Sequence, residues 1–172
     1  MDFNDTAEEA KFRKEAYEWL KANADLKEGP KDGWRASSEE EGLEQVKVWQ
    51  NKLYESGWAC MHWPKEFGGR ESTPIERVIW GQEISKFKVP GGYLEIGQGM
   101  AGPVMMMYAT EEQKARHLPP MAKGEEIWCQ LFSEPGAGSD LAGLKTKSVL
   151  EGDTWTINGQ KIWTSGAHFS DW

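Results

Sequence analysis

The chain has almost no cysteine and little histidine. Its 172 residues hold only Cys60 and Cys129, with His62, His117 and His168 scattered among them. Two cysteines make no disulfide framework, and none of the five groups falls at a metal-ligand spacing, so no metal site is expected. A positive excess is also missing. Twenty Lys and Arg stand against 28 Asp and Glu, giving a net charge of −8. That excludes the broad basic face by which a protein displaces counterions from nucleic-acid phosphates. No stretch approaches the roughly 18 apolar residues that span a bilayer. The opening Met1-Asp2-Phe3-Asn4-Asp5 has neither a basic segment nor an apolar one. No secretory signal is therefore read, and a reducing, cytoplasmic setting is expected. There is no internal repeat and no low-complexity tract.

What is present suits a folded chain. Hydrophobic residues make up 38% and charged residues 28%, enough for a core and against disorder. The length allows one domain plus part of another. Ten tryptophans are unusual for this size. Such large rings either fill a core or line a pocket or interface, and core filling is the default for any one of them.

The first 125 residues read as helices. Thr6-Ala7-Glu8-Glu9 is a capping box, and Phe12, Ala16, Trp19 and Leu20 follow on one helical face. Gly29-Pro30 and Gly33 interrupt. A second helix is expected from about Ser38 to Ser56, with Leu43, Val46, Trp49 and Leu53 as its stripe and Gly57 as its C-terminal cap. After a loop from Trp58 to Ser72, Thr73-Pro74-Ile75-Glu76 opens a third helix with proline at its first position. Ile75, Val78, Ile79 and Ile84 give that helix an apolar side, and Pro90-Gly91-Gly92 ends it. A fourth helix is expected from about Gly99 to Ala109. A fifth starts at Thr110-Glu111-Glu112-Gln113 and stops by Pro119-Pro120. Glu9 and Glu39 to Glu41 read as solvated helix caps and faces, and His117 as a helix-end residue.

From about residue 126 the pattern changes to sheet. Ile127 to Ser133 reads as a strand, and Leu144 to Leu150 partly alternates. Thr154 to Ile157 and Lys161 to Ser165 flank Asn158-Gly159, a strong hairpin signal. The expected fold class is therefore α+β and multidomain. An all-helical domain over 1–125 precedes an antiparallel β-domain over 126–172, and so few strands leave that sheet looking interrupted.

The chemistry-bearing stretch is Trp128 to Asp140. Gly136-Ala137-Gly138 hints at a dinucleotide fingerprint, but Leu141 stands where Gly or Ala is needed and no helix is expected to follow. What remains is a strand running into a glycine-rich turn flanked by the hydroxyls of Ser133 and Ser139. It is either an ordinary turn or one that presents backbone N–H groups to a ligand.

Glu134-Pro-Gly-Ala-Gly-Ser-Asp140 resembles the hallmark motif of the acyl-CoA dehydrogenase family. Ile157-Asn-Gly-Gln-Lys-Ile-Trp-Thr-Ser165 resembles its second motif at the expected distance. Trp63-Pro-Lys-Glu-Phe-Gly-Gly69, Glu112-Gln-Lys114 with Leu118-Pro119, and Gly124-Glu125 match further landmarks in order. The likeness runs from Phe12 to Trp172.

The resemblance implies a helical N-terminal domain, then a β-barrel domain that this chain only begins, then a C-terminal helical domain not seen here. It implies FAD as cofactor and α,β-dehydrogenation of an acyl-CoA thioester to the trans-2-enoyl-CoA, as in fatty acid β-oxidation. Electrons would pass to an electron-transfer flavoprotein or a similar acceptor, and the full-length form would be a homo-oligomer. Residue by residue, it places Gln130, Phe132, Ser133, Gly138, Ser139, Trp163 and Ser165 against the cofactor, with Ser133 near the reactive flavin edge. Gln130 stands at a variable position. Ser133 and Ser165 stand where Thr is common, which keeps the hydroxyl. Ser139 also matches a contact to the pantetheine arm of the substrate. Gly97 to Val104 and Met105-Met106-Met107 match the region lining the acyl pocket, where methionine adapts to a variable chain, although plain core packing explains them equally well. The family's base is a carboxylate of the C-terminal domain, so no residue here is expected to be catalytic and Glu134 is expected to be structural. Acyl-CoA oxidases, nitroalkane oxidases and flavin monooxygenases of the same fold, or a non-catalytic fragment, are the competing readings.

Overall fold

The computed structural model describes residues 4–172. The opening Met1-Asp2-Phe3, read above as free of a targeting signal, lies outside the described residues. The chain divides into two compact units, Met1–Glu126 and Ile127–Trp172.

In the first unit, helix α1 spans Ala7–Asn23 and is closed at its start by the reciprocal Thr6 and Glu9 capping bonds. These satisfy two backbone donors that have no helical partner. It buries Phe12, Ala16 and Leu20 and packs on α3, Pro74–Ile84. Helix α3 starts with its own capping box, Thr73 with Glu76, and with Pro74 in the first turn. Helix α2, Glu39–Glu55, starts at Ser38. It ends where Gly57 takes φ +71, the N–H of Trp58 reaches the Leu53 carbonyl at 2.8 Å, and the N–H of Gly57 reaches that of Tyr54 at 3.0 Å. This left-handed closure is one that glycine adopts without strain.

The buried face of α3 differs from the expected one. Ile79 and Glu83 are buried, whereas Ile75 and Val78 are 46% and 53% exposed. Hydrophobicity alone mispredicts the face because Glu83 is compensated. Arg13 lies 2.9 Å and Lys86 2.6 Å from its carboxylate. Burial pushes the Glu83 pKa up, and the Lys86 and Arg13 bonds outweigh it, so the pKa ends lowered. The helix also ends at Ile84, before Pro90.

Four tryptophans serve the core. Trp58 stacks on Trp80 with centroids 4.7 Å apart, Trp19 meets Trp49, Trp58 and Trp80, and the Arg70 guanidinium lies 3.9 Å from the Trp58 ring centroid. Trp63 is fully buried in a separate arrangement. A π-turn over Gly97–Ala101 leads into α4, Gly102–Tyr108, so the fourth helix begins as a wider coil than expected. Within that coil the Gly102 N–H bonds the Gly97 carbonyl. The next donor in register for Gln98 belongs to Pro103, which has no N–H. The Trp63 indole supplies it instead, donating to the Gln98 carbonyl at 2.9 Å. A Cβ at Gly69 or Gly102 would collide with Trp63.

Helix α5, Glu111–Lys123, continues through Pro119 and Pro120 rather than stopping there. The prolines remove two donors, yet Leu118, Met121 and Ala122 bury one face completely enough to hold the last turn. Carbonyls of the last turn also accept from side chains. Gln50 donates to Ala122 at 2.7 Å and Gln98 to Met121 at 3.2 Å.

In the second unit, β1, Lys147–Glu151, pairs antiparallel with β2, Thr154–Asn158, from Lys147 opposite Asn158 to Glu151 opposite Thr154. The turn is Gly152-Asp153, with Gly152 at φ +61, as a two-residue hairpin with glycine first requires. The hairpin is therefore not at Asn158-Gly159. Gly159 serves a close approach, because a Cβ there would collide with Thr146. Ile127 to Ser133 and Lys161 to Ser165 are not strands either. They make isolated bonds, Cys129 N–H to the Trp172 carbonyl at 2.8 Å and Ile162 N–H to the Ser133 carbonyl at 3.0 Å, without a continuous ladder. Among the described residues the sheet has two strands and no barrel closes. No helix among them is long and apolar enough to cross a membrane.

Candidate functional site

The second unit is organised around Glu134. Glu134 and Ala137 exchange backbone bonds of 2.8 and 3.1 Å, closing a tight turn over Pro135-Gly136. Proline presets the backbone angle such a turn needs. The Glu134 side chain is buried, and both of its oxygens are hydrogen-bonded. Oε2 accepts the Lys145 N–H at 2.7 Å, while Oε1 accepts the Thr146 N–H and the Lys161 ammonium, each at 2.9 Å. The Thr146 hydroxyl faces the same carboxylate without the geometry of a full hydrogen bond. The Thr146 side chain, the Lys161 ammonium and the Lys145 N–H hold the Glu134 pKa down at about 2. A carboxylate so acidic and so fully bonded is a poor proton acceptor near neutral pH. It ties the turn to the strand entry at Lys145 and Thr146.

Lys161 joins a second segment to the first. Its ammonium also donates to the Phe132 carbonyl at 2.9 Å, and the next residue, Ile162, donates its N–H to Ser133. Phe132-Ser133 and Lys161-Ile162 therefore lie side by side. Immediately beyond, Trp163 takes φ +54 and leaves its side chain 84% exposed. A left-handed backbone costs a bulky non-glycine residue of order 1–3 kcal/mol, and such strain concentrates at functional sites.

The residues singled out from sequence fall as follows. Phe132 is 54% exposed, Gly138, Ser139 and Ser165 are exposed, and Gln130 and Ser133 are half-buried. Neither Gly136 nor Gly138 has any atom within 4 Å of where a Cβ would sit, so their backbones are open to close approach. Both have ordinary negative-side φ, so freedom of rotation is not why glycine stands there. Sequence reading gave Lys161 and Thr146 no role, although Lys161 lies inside the second motif.

In the helical unit, Met100, Val104, Met107 and Tyr108 recur at helical spacing and are 47%, 57%, 71% and 78% exposed. This is an apolar stripe facing outward over the π-turn and α4. The clefts of that unit, about 440 Å³ beside Trp34 and Trp49 and about 430 Å³ beside Asn23 and Lys88, contain none of the site residues read from the sequence. Among the described residues no three His, Cys, Asp or Glu side chains converge as metal ligands.

Comparison with known proteins gives the same direction. The model of the acyl-CoA dehydrogenase N-terminal domain matches residues 6–125, and that of the acyl-CoA dehydrogenase middle domain matches residues 129–172. Acyl-CoA dehydrogenase IpdE1 of Mycobacterium tuberculosis is 42% identical over 134 residues, covering 78% of this chain and 35% of that protein. The ChsE4-ChsE5 complex from Mycobacterium tuberculosis superposes with a TM-score of 0.70 at 30% identity, over 99% of this chain and 42% of that one. The Tcur3481-Tcur3483 steroid ACAD gives 0.72 at 30% identity, over 99% and 43%. The chain thus spans under half the length of the relatives it matches. On residues 6–125 and 129–172 alike, it belongs to the acyl-CoA dehydrogenase family.

Proposed function

We propose that this chain forms the N-terminal helical part and the opening of a middle β-barrel in an FAD-dependent enzyme. That enzyme oxidises an acyl-CoA thioester to its trans-2-enoyl-CoA. The observation that carries the reading is the pairing of Phe132-Ser133 with Lys161-Ile162, beside an exposed Trp163 on strained backbone.

The residues fit FAD. Exposed rings at Phe132 and Trp163 offer apolar faces to a flat ring system, Ser133 and Ser165 offer hydroxyls, and Gly138 offers backbone open to close contact. When bound, FAD supplies the hydride acceptor. Ser133 would donate to the edge of the ring that gains charge, Trp163 would pack against the ring, and Ser165, Phe132 and Gln130 would complete that wall. Ser139 would meet the pantetheine arm of the substrate as well as the cofactor loop. The α-proton leaves to a carboxylate base as the β-hydrogen leaves with its electron pair, so the product carries one new double bond. Glu134 is unsuited to be that base, since its oxygens are taken and its pKa is about 2. The base is assigned outside these residues.

The outward stripe Met100, Val104 and Met107 suits an acyl-pocket wall, and methionine adapts to bulky shapes. The likeness to a protein named a steroid ACAD favours a bulky acyl group. The electron acceptor is read as an electron-transfer flavoprotein or its equivalent. A homo-oligomer is read for the natural full-length form, in a family where one structural relative is described as a two-component complex.

The test compares 1–172 with the natural gene product that contains it. Each is assayed for bound flavin, then for acyl-CoA-dependent reduction of an artificial dye. Flavin and dye reduction in the longer product alone support the reading. A longer product that reduces only oxygen, or needs a non-thioester substrate, transfers it to the oxidases or monooxygenases of this fold. Turnover by 1–172 alone overturns the assignment of the base.

A further inference from the structure

We propose that Lys161 is a positioning residue that sets the two cofactor-facing segments into one wall, a role that rests on the flavin site proposed above. The ammonium ties its own segment directly to one other and, through Glu134, to a third. It bonds the Phe132 carbonyl and the Glu134 carboxylate, and Glu134 in turn holds the backbone of Lys145 and Thr146. Thr146 closes the circuit back to the lysine's own segment, because it packs so tightly against Gly159 that no Cβ fits there. The lysine side chain is 20% exposed and the glutamate side chain 6%, so their bond is shielded from water on most sides. Charge-assisted bonds in such settings are the strong ones.

The geometry gives Lys161 a purpose beyond neutralising Glu134. Its second bond goes to the carbonyl directly before Ser133, and the following N–H, of Ile162, goes to the carbonyl of Ser133 itself. Together these fix the register of the Ser133 hydroxyl against the residue that precedes Trp163. Trp163 holds φ +54, which persists only when its neighbours are pinned. Without the ammonium, the Phe132 carbonyl loses its donor, Glu134 keeps only backbone donors, and the strained Trp163 is free to relax.

The test uses the natural gene product containing this chain, as Lys161→Met and Lys161→Arg. Met keeps the aliphatic stem without the charge, and Arg restores a cation. Three quantities are read: hydrogen exchange at the amides of Lys145, Thr146 and Ile162, the rate of FAD release, and the visible flavin spectrum. Loss of the charge-assisted bonds predicts FAD release in Lys161→Met faster by at least about tenfold. Faster exchange at those three amides, a shifted flavin spectrum, unchanged exchange in α1 to α5, and recovery of all three readouts in Lys161→Arg complete the expected result. Wild-type exchange and wild-type FAD release in Lys161→Met overturn the proposal. So does general loss of protection across the second unit in both variants, which is the mark of a purely structural lysine. If the unsubstituted protein holds no FAD, the flavin-site reading fails on its own. The exchange arm then still decides whether Lys161 joins the segments.

Discussion

The indole N–H of Trp63 donates to the Gln98 carbonyl at 2.9 Å, in the position that the missing N–H of Pro103 leaves open. One consequence is thermodynamic. Trp63→Phe keeps an aromatic ring in the fully buried site but removes the indole donor, leaving that part-buried carbonyl to His62 alone. Losing one neutral hydrogen bond costs about 0.5–1.5 kcal/mol, so urea unfolding should show a loss in that range. Pro103→Ala restores a backbone donor at the right place in the π-turn. In the Trp63→Phe background it should recover part of the loss, giving a coupling energy between the two sites. Purely additive effects would show that Pro103 is not the cause.

The glycines separate folding from binding. A Cβ at Gly102 meets the Trp63 ring, so Gly102→Ala should cost about 1–3 kcal/mol by overpacking. Gly138 has open space around the same atom. Gly138→Ala should leave the melting temperature near that of the unsubstituted protein while weakening flavin retention, because on the flavin-site proposal the added methyl would stand where the cofactor approaches the backbone. Equal loss of stability in both variants would contradict this division.

Much of the helical part is legible because capping is local. Thr6 with Glu9 and Thr73 with Glu76 each announce a helix within four residues, and both boxes form. The errors lie where distant contacts override a local rule. Pro119-Pro120 should end α5, yet the burial of Leu118, Met121 and Ala122 and the amides of Gln50 and Gln98 carry it to Lys123. Asn158-Gly159 signals a hairpin, yet Gly152-Asp153 makes it, and Gly159 is required by Thr146. Ile127 to Ser133 has strand composition, but a ladder depends on its partner as much as on itself. At the site, the turn that Glu134 opens is readable, but the set of groups that hold its carboxylate is less so, since Lys145, Thr146 and Lys161 lie 11, 12 and 27 residues away.

Acid should reveal Glu134. Its folded pKa, about 2, lies below the ordinary value of 4.5. A carboxylate depressed in this way contributes stability that is present in full above pH 4.5 and is lost as pH falls toward about 2. Glu134→Gln should therefore be less stable than the unsubstituted protein at neutral pH, and the gap should narrow across that window. It should not behave as a variant lacking the proton acceptor. Unfolding curves that stay parallel from neutral pH down to pH 2 would show that the carboxylate is not held by its donors.

The wall built from Ser133, Trp163 and their neighbours is proposed to serve flavin-dependent oxidation of an acyl-CoA. The most direct measurement is an anaerobic titration of the flavin-loaded natural gene product with acyl-CoA thioesters of increasing bulk, following visible flavin absorbance and the mass of the product. One or more thioesters should bleach the flavin and yield a product lighter by two hydrogens. A flavin that binds but is never bleached by any acyl-CoA, or a protein that binds no flavin, would contradict that proposal.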